Sequence, residues 1–597
     1  MDKNFARASR LSPLVSLFCF SCVLLAQGTG TGGISGTVSD KTGAVIPGVE
    51  VIVTHTATEI SRNAITNDRG YYVLTALSVG RYELQAQRPG FKIFRQKEIL
   101  LETEAKVTVN IMLEVGEISE SVTVSDTPPP IQAESGEIST LVSGVQLSEL
   151  ALNGRNFSQL LTLGPGVVSR QTGHQMGVGV EGIPLMSIHG GRINNTKFTY
   201  EGTLAMDTGG NRGPILYPPM EAIQEVKIMK SNYGADSGSY GYGLVNVVTK
   251  SGGKAFHGAL YEYLRNDALD ARNFFADTVS PLKLNNFGYT FGGPFYIPGQ
   301  YNEKKNKTFF FWSQSWNIRR GPQLVSFTDP PAPLFTSHTP SATMRRGDFR
   351  GVLPQAVRDP ATGQPFPNNI IPPERIDPNA RLLLESYYPL PNRPDAPNFV
   401  STPNSATRWR EELLRVDHHL SEKVSLMGCY AQDQWEQNQA VIKPAPQAFP
   451  TIGGFFARPG KNFTGKLTTL FSPSTINEFT FGLSLNRITT VPSAAARRSP
   501  ELTIPEIFPP NRNNVIPTIT LAQGFGSIGV GTQLNNANPV FSYKDDLSRL
   551  LGNHNLKAGF EIIRLQKFTV TAPALQGNFS FNLTPEEFLQ GRRNKRR

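Results

Sequence analysis

The residues that come nearest to a catalytic or cofactor-binding motif are two glycine-rich stretches and a pair of histidines. Residues 28–33 and 177–182 both fit the spacing G-x-G-x-x-G, which binds a dinucleotide when it follows a strand and opens a helix. Neither has that context, so we interpret both as chance matches in a glycine-rich chain. His418 and His419 are adjacent, so on a strand they face opposite sides and do not share a metal ion. The sequence therefore predicts no enzyme activity, no metal site and no cofactor.

The composition indicates short strands joined by turns. A length of 597 residues leaves room for several domains, and 55 glycines and 45 prolines favour tight turns over long helices. The net charge is +10, but the basic residues are scattered except at positions 592–597, so nucleic-acid binding is not expected. Cys19 and Cys22 lie in the leader, which leaves Cys429 without a partner for an internal disulfide.

The N-terminus is predicted to be a cleaved secretion signal over residues 1–26. A basic stretch precedes the apolar residues 11–25, and the small Ala26 stands at the expected cleavage point. A lipoprotein signal ending at Cys22 is the weaker alternative, because the residues before that cysteine fit a lipobox poorly. No later segment has about 18 continuous apolar residues, so membrane insertion would need a β-barrel.

Residues 33–115 show short alternating runs with turn residues about every ten positions, which is typical of a β-sandwich. Several motifs resemble a carboxypeptidase regulatory-like domain, namely residues 36–40, 43–49, 67–71, 80–82 and 89–91. That family shares its fold with starch-binding modules, so the resemblance implies carbohydrate binding. Tyr71, Tyr82 and Phe91 are candidates for a sugar-stacking platform, but the preferred interpretation places all three in the core.

A candidate coupling segment follows within residues 117–130. It consists of Glu120, Ser121, Val122, Thr123 and Val124, ahead of a proline-rich linker. The segment resembles a TonB box, to which a TonB-type energy transducer binds. An extended segment of this kind can pair with a partner by adding a strand to a sheet edge. A last strand of the sandwich is an equally supported interpretation.

The most specific resemblance covers residues 131–252, which look like the plug of a TonB-dependent outer-membrane receptor. It rests on motifs that occur in the family's order within residues 147–167, 187–202 and 223–253. Leucines at positions 147, 150, 160 and 161 indicate helical turns near the start. The family usually has aspartate where this chain has Glu201, so the carboxylate lies one methylene further from the main chain.

From residue 254 to residue 597 the pattern changes to alternating segments rich in aromatic residues, as in outer-membrane strands. We predict strands at 257–264, 287–295, 307–313, 415–420, 423–433, 462–470, 477–487, 541–547, 555–565 and 578–582. Residues 320–408 and 489–538 are predicted to be long external loops. Transporters of this type close with about 22 strands, so we expect only part of a barrel here, which does not insert alone as a sealed transporter.

Together these features predict a mainly β fold in the outer membrane: an N-terminal β-sandwich, an α+β plug and a partial transmembrane antiparallel β-barrel. The domain order is similar to that of the Oar-like group of TonB-dependent receptors. The resemblance implies coupled uptake of a large solute, with carbohydrate and peptide as candidates and with outer-membrane lipid and the transducer as partners. Arg192, Asn194 and Asn195 are candidate solute contacts, although hydrogen bonds within the plug are the preferred interpretation. The alternatives are an adhesion or structural protein, and a carbohydrate-binding module beside a non-functional barrel.

Overall fold

The computed structural model of the chain is mainly β. It describes residues 31–117, 121–124, 136–150, 152, 154–169, 186–193, 195–207, 213–238, 241–272, 279, 281–322, 335–352, 356–359, 361–395, 397–401, 404–439, 449, 452–505, 514–521, 525–530, 533–552, 554–572, 578–580 and 588–591. The predicted signal 1–26, Glu120, the linker 125–130 and Asn194 lie outside these residues. In the part of the chain just given, no helix is long and apolar enough to span a membrane.

The N-terminal unit, called the sandwich below, packs two sheets around one apolar core. Its strands are β1 (Thr31–Asp40), β2 (Glu50–His55), β3 (Ser61–Ile65), β4 (Tyr71–Ser78), β5 (Gly80–Gln87), β6 (Ile93–Leu101), β7 (Lys106–Thr108), β8 (Ile111–Leu113) and β9 (Ser121–Val124). One sheet has the order β4-β1-β7, with β8 also paired to β1, and the other has the order β3-β2-β5-β6-β9. Period-two alternation directs Ile34, Val51 and Leu84 inward, where all three are fully buried.

The next unit, called the plug body below and comprising the described residues 136–252, is built on a five-stranded sheet. Its elements are β10 (Ile138–Ser143), α1 (Gly144–Glu149), β11 (Val167–Ser169), β12 (Met186–Ile188), β13 (Lys197–Tyr200), β14 (Thr203–Leu204), β15 (Ile223–Ser231) and β16 (Leu244–Thr249). The sheet order is β10-β15-β16-β13-β14. Ser143 and Gln146 form a capping box at the start of α1. Every residue of β16 is buried, which means that both faces of this sheet are covered.

The strands after the plug body are β17 (His257–Asn266), β18 (Lys283–Pro294), β19 (Thr308–Pro322), β20 (Phe335–Ser337), β21 (Phe399–Ser401), β22 (Asn404–His419), β23 (Val424–Gln439), β24 (Gly454–Ala457), β25 (Gly460–Ser472), β26 (Thr475–Pro492), β27 (Thr518–Thr520), β28 (Gln533–Leu551), β29 (His554–Leu565), β30 (Phe568–Ala572) and β31 (Asn578–Ser580). Eleven of them form one antiparallel sheet, called the barrel sheet below, with the path β17-β18-β19-β22-β23-β24-β26-β28-β29. β25 pairs with β23 and β26, and β30 pairs with β28. β24 therefore shares one sheet position with β25, and β29 shares another with β30.

The barrel sheet has a polar or plug-facing inner side and an apolar outer side. On β22, Trp409 and Leu413 are buried against the plug body, while Leu414 on the alternate face is exposed. Aromatic residues such as Phe463 and Phe479 continue this exposed outer band. The turns β22–β23, β25–β26 and β28–β29 are short and lie at one end, called the short-turn end. The long connections lie at the opposite, long-loop end.

The long connections fold into a compact cap with its own core. The cap contains α2 (Ala342–Arg345), α3 (Pro378–Tyr387) and the pairs β20–β21 and β27–β31. Its buried apolar residues include Phe349, Ile371 and Leu384 from the first predicted loop, Ile528 from the second, and Phe449 from the connection between β23 and β24. The ranges predicted as long external loops, 320–408 and 489–538, are thus largely long connections, but they fold together into the cap, and their ends belong to strands of the barrel sheet. The segment predicted as a barrel strand at 578–582 instead forms β31, which pairs in parallel with β27 in the cap.

Candidate functional site at the junction of plug and barrel

Glu201 ties the plug body to the inner face of the barrel sheet. It lies in a left-handed conformation (φ 48°) just before Gly202 (φ 84°), in the tight turn between β13 and β14. Its Oε1 accepts hydrogen bonds from the main-chain nitrogen and the hydroxyl of Thr249, both at 2.7 Å. Arg415 on β22 donates to the same oxygen at 3.1 Å and to the Thr249 carbonyl at 3.0 Å. The longer side chain of glutamate thus makes both the hydrogen bonds and an ion pair.

A second polar contact joins the plug body to the wall near the long-loop end. Arg458, between β24 and β25, donates to Asp207 Oδ2 at 2.9 Å, and both side chains are about nine-tenths buried. Asn538 on β28 donates to the other carboxylate oxygen at 3.4 Å and to Asn486 at 2.8 Å. Asp207 is therefore held by the segment between β24 and β25 and by β28, which are far apart in sequence.

Further ion pairs reach the last strands of the barrel sheet. Lys197 on β13 lies 3.5 Å from Glu561 on β29, and burial holds the pKa of this lysine below its usual value. Asp236 forms an ion pair with Lys557, and its carbonyl accepts from Lys544 Nζ at 3.2 Å. Charged residues of the plug body thus make ion pairs with β22, with β29 and with the segment between β24 and β25, and hydrogen bonds with β28, rather than contacting one strand.

Aromatic packing fills the space between these ion pairs. Tyr217 of the plug body packs edge-on against Trp409 of β22, with ring centroids 6.1 Å apart, and against Phe157 at 5.7 Å. The main-chain nitrogen of Tyr217 donates to Asp433 of β23 at 3.3 Å. The junction combines apolar packing of the plug core against the barrel strands with buried, directional polar contacts, which fix one orientation of the plug body.

The sandwich covers the short-turn end of the barrel sheet. Asn67 Nδ2 donates to the Gly552 carbonyl in the turn between β28 and β29 at 2.9 Å, and Lys254 N donates to the Ala57 carbonyl at 2.9 Å. Thr103 N donates to a carboxylate oxygen of Glu225 on β15. Three parts of the chain therefore meet at this end: sandwich, plug body and barrel sheet.

A cavity of about 120 Å³ lies where these three parts meet, and its lining is rich in charged and imidazole side chains. His55 and Arg62 line it from the sandwich, and Arg415, Asp417 and His419 line it from β22. Within the described part of the chain, no group of three or more His, Cys, Asp or Glu residues is placed to hold a metal ion. The cavity borders the Glu201–Arg415 ion pair.

Acidification is expected to destabilise the sandwich through His55. Burial holds the pKa of His55 below its usual value of 6.5, and the ring packs edge-on against Tyr82 at 5.0 Å. The folded-state pKa is lower than the unfolded-state pKa, so neutral His55 contributes fully to the free energy of unfolding above about pH 6.5. This contribution is lost as the pH falls through the folded-state pKa. Urea unfolding at several pH values should show this loss, and His55→Gln should reduce the slope. Equal slopes in both proteins would contradict the assignment.

The predicted site residues fall into two separate groups: the candidate solute contacts lie in the plug body, and the candidate sugar-stacking residues lie in the sandwich. Arg192 is exposed and Asn195 is half-buried, and the Asn195 main-chain nitrogen donates to the Arg192 carbonyl at 3.0 Å. Asn194 lies outside the described residues. Tyr82 is in the sandwich core, where its hydroxyl donates to the Ser78 carbonyl at 2.7 Å, so it is not part of an exposed sugar platform.

The candidate coupling segment forms strand β9 at the edge of the sandwich. Residues Ser121–Val124 pair in parallel with Ile93–Gln96 of β6, and the Thr123 side chain is exposed. β9 is the outermost strand of its sheet in the part that the structure describes, so one of its two edges has no neighbouring strand there. This geometry fits the interpretation as a last sandwich strand, and it leaves a strand edge that a partner can extend.

Sequence reasoning missed the barrel residues that hold the plug body. Arg415, Arg458 and Glu561 were not singled out because their partners are separated from them by more than two hundred residues. A signal was nevertheless present for Arg415. It occupies an inward position in an otherwise alternating strand, and a charged residue at such a position needs a partner inside the barrel.

Comparisons with known proteins agree with this architecture. The profile of the family described as "Outer membrane beta barrel domain" matches residues 248–594, and that of the carboxypeptidase regulatory-like domain matches residues 33–114. The TonB-dependent transporter Oar of Myxococcus xanthus is 25% identical over 281 residues, which are 44% of this chain and 25% of that protein. The chain therefore spans about a quarter of the length of this curated relative.

Two solved structures are among those similar to the chain, each at 10% sequence identity. The outer membrane transporter YddB from Escherichia coli has a TM-score of 0.42, with 72% of this chain and 48% of that chain covered. The siderophore receptor PirA from Acinetobacter baumannii has a TM-score of 0.38, with coverage of 71% and 47%. Because the outer-membrane profile covers more than half of the sequence, the chain belongs to the outer-membrane β-barrel family, is located in the outer membrane and carries an N-terminal carboxypeptidase regulatory-like domain.

Proposed function

We propose that this chain is the sandwich, plug and barrel part of a receptor for the energy-coupled uptake of a large solute across the outer membrane. The proposal includes a TonB-type transducer as periplasmic partner and the domain boundaries 33–115, 131–252 and 254–597. Carbohydrate and peptide are the candidate classes of solute. Arg192, Asn194 and Asn195 remain the proposed solute contacts of the plug.

The polar character of the plug–barrel junction is the observation that carries this proposal. A plug that moves must leave contacts that water can replace. Separating a buried ion pair has a small net cost when both charges are rehydrated, because the regained hydration offsets the lost attraction. Glu201, Asp207 and Asp236 each pair with a basic residue of the barrel wall. A plug that served only to fill a structural anchor would need none of these paired charges, because burial of apolar surface, which the junction also contains, is the larger stabilising term. The junction therefore favours transport over adhesion.

The coupling step is assigned to the segment Glu120–Val124. β9 lies at a sheet edge, and a transducer strand can pair with its free main-chain groups or take the place of β6. A pull on this segment acts directly on the linker that enters the plug body at residue 136. The sandwich contacts β15 of the plug body through Thr103 and Glu225, so the pull also reaches the plug sheet by a second route.

Proline substitution tests the coupling segment. The double change Val122→Pro and Val124→Pro removes two main-chain N–H donors, and we expect the affinity for the periplasmic domain of a TonB-type transducer to fall on the order of tenfold. Thr123→Ala is the matched control, because it removes an exposed side chain and keeps every main-chain donor. Binding is measured by calorimetry on the whole protein. Unchanged binding by the proline variant would leave β9 as a structural sandwich strand only.

A further inference from the structure

Two side chains that line the cavity between sandwich, plug body and barrel sheet, called the junction cavity below, leave polar groups without a partner in the described part of the chain. Arg62 reaches the cavity from β3 of the sandwich, and His419 reaches it from the end of β22. The guanidinium of Arg62 makes no ion pair or hydrogen bond with the described residues, and the ring nitrogens of His419 make no hydrogen bond with them. Both side chains are half-buried. Polar groups from two separate parts of the chain therefore face one cavity.

The lining of the junction cavity has an excess of positive charge. Its cations are Arg62, Arg415 and Lys466, and its carboxylates are Glu201 and Asp417, which gives 3 − 2 = +1 with neutral histidines. Arg415 binds both carboxylates, at 3.1 Å from Glu201 and 2.9 Å from Asp417. The two negative charges are thus held on Arg415, and neither forms an ion pair with Arg62.

The remaining titratable groups near Arg62 do not neutralise it. His55 Nδ1 accepts from the Thr58 main-chain nitrogen at 3.3 Å, so its other ring nitrogen carries the proton and faces the Val79 carbonyl at 3.4 Å. Glu478 on β26 attracts Arg62 through space, but it lies outside the cavity lining and accepts from Thr468 Oγ1 at 3.4 Å. Arg62 therefore faces the cavity without a direct counter-charge among the described residues.

Arg62 needs a counter-charge because water reaches it poorly. Burial lowers the pKa of Arg62 from its usual value, so its surroundings disfavour the charged form. A guanidinium that loses hydration without gaining an ion pair has a free-energy cost, and an anion at hydrogen-bond distance removes that cost. The cavity volume is about 120 Å³, whereas one enclosed water molecule needs roughly 10–15 Å³, so a small oxyanion fits.

We propose that the junction cavity binds a small inorganic oxyanion, phosphate or sulfate, which bridges Arg62 of the sandwich and His419 of the barrel sheet. The planar guanidinium presents paired N–H donors that match the oxygens of such an anion, and the imidazole supplies a further donor from the opposite side. Lys466 and Thr468 on β25 line the same side of the cavity as His419. Because the anion contacts both parts, it stabilises the sandwich on the short-turn end. The site does not depend on the uptake or the coupling proposed above.

Neutralising Arg62 tests this site. The whole protein in detergent is titrated with inorganic phosphate by calorimetry, with sodium chloride holding the ionic strength constant. We expect Arg62→Gln to weaken phosphate binding on the order of tenfold or more, because the main charge-assisted donor is lost. Arg69→Gln is the matched control, since Arg69 is an exposed arginine of the sandwich outside the cavity lining, and it should bind phosphate as the wild type does. Equal binding by the Arg62 and Arg69 variants overturns the proposal.

A second variant tests the barrel side of the bridge. His419→Gln should also weaken phosphate binding, and sulfate should compete with phosphate in the wild type whereas chloride should not. Phosphate should slow hydrogen exchange of the β3 amides Ser61–Ile65 in the wild type and in Arg69→Gln, but not in Arg62→Gln. Without phosphate, Arg62→Gln should unfold at a temperature equal to or higher than that of the wild type, because it removes a poorly hydrated charge. Full binding by His419→Gln, or equal competition by chloride, would contradict a bridging oxyanion.

Discussion

Replacing Arg415 with alanine is expected to lower the free energy of unfolding by about 3–5 kcal/mol, because it leaves the buried carboxylate of Glu201 without its counter-charge. The Arg415 side chain is 11% exposed and that of Glu201 is 3% exposed, so water screens this pair little. The arginine also donates to the Thr249 carbonyl at 3.0 Å, and that acceptor loses this donor in the variant. Guanidinium-induced unfolding in detergent micelles measures the effect, followed through the tryptophans of β22 and β23.

Arg410→Ala is the control for this prediction. Arg410 is on the same strand, but it faces outward, is 45% exposed and pairs with Glu412, so its loss should cost less than about 1 kcal/mol. Adding Glu201→Gln to Arg415→Ala should recover part of the loss, because the uncompensated charge is removed while Thr249 keeps an acceptor. Equal effects of Arg415→Ala and Arg410→Ala would show that Glu201 does not depend on this ion pair.

The strands of the barrel sheet were predictable because each carries its own signal. Alternation between apolar and polar residues is local, so nine of the ten predicted segments fall on strands of the barrel sheet, from β17 to β29. The observed strands are longer than the predicted ones, as in β22 (Asn404–His419). Near their long-loop ends, polar residues occupy both faces of the strand. That part of a strand has no apolar period to detect. The sandwich strand β3 was missed for the same reason, since its residues are SRNAI.

The cap could not be predicted because its contacts join residues far apart in sequence. Arg345, in a stretch rich in proline, is buried and donates to the carbonyls of Leu384, Tyr388 and Pro389 at 2.6–3.0 Å. It thereby satisfies acceptors at the C-terminal end of α3 that helix geometry leaves free. Nothing in the local sequence distinguishes Arg345 from its neighbour Arg346. The Glu201–Arg415 pair is of the same kind, with 214 residues between its partners.

Gly252→Val is expected to prevent the plug body from seating, at a cost on the order of 3 kcal/mol or more. The chain leaves the plug body at this glycine and passes close to two strands of the barrel sheet. A Cβ atom there would lie 2.7 Å from the Gly293 carbonyl oxygen and 2.8 Å from the Phe310 main-chain nitrogen, and it would also clash with the Phe310 carbonyl. All three neighbours are main-chain atoms in β18 and β19, so no side-chain rotation relieves the overlap.

Gly241→Val is the matched control, because a Cβ atom at Gly241 meets nothing within 4 Å. Limited proteolysis of the folded protein should cut the plug body of the Gly252 variant faster than that of the wild type, while the strands β22–β28 stay protected. The Gly241 variant should be cut at the wild-type rate. If the Gly252 variant resists protease as the wild type does, the plug exit has room for a side chain. The close approach of Gly252 to β18 and β19 would then not fix the position of the plug, and the ion pairs of Glu201, Asp207 and Asp236 would have to do so alone.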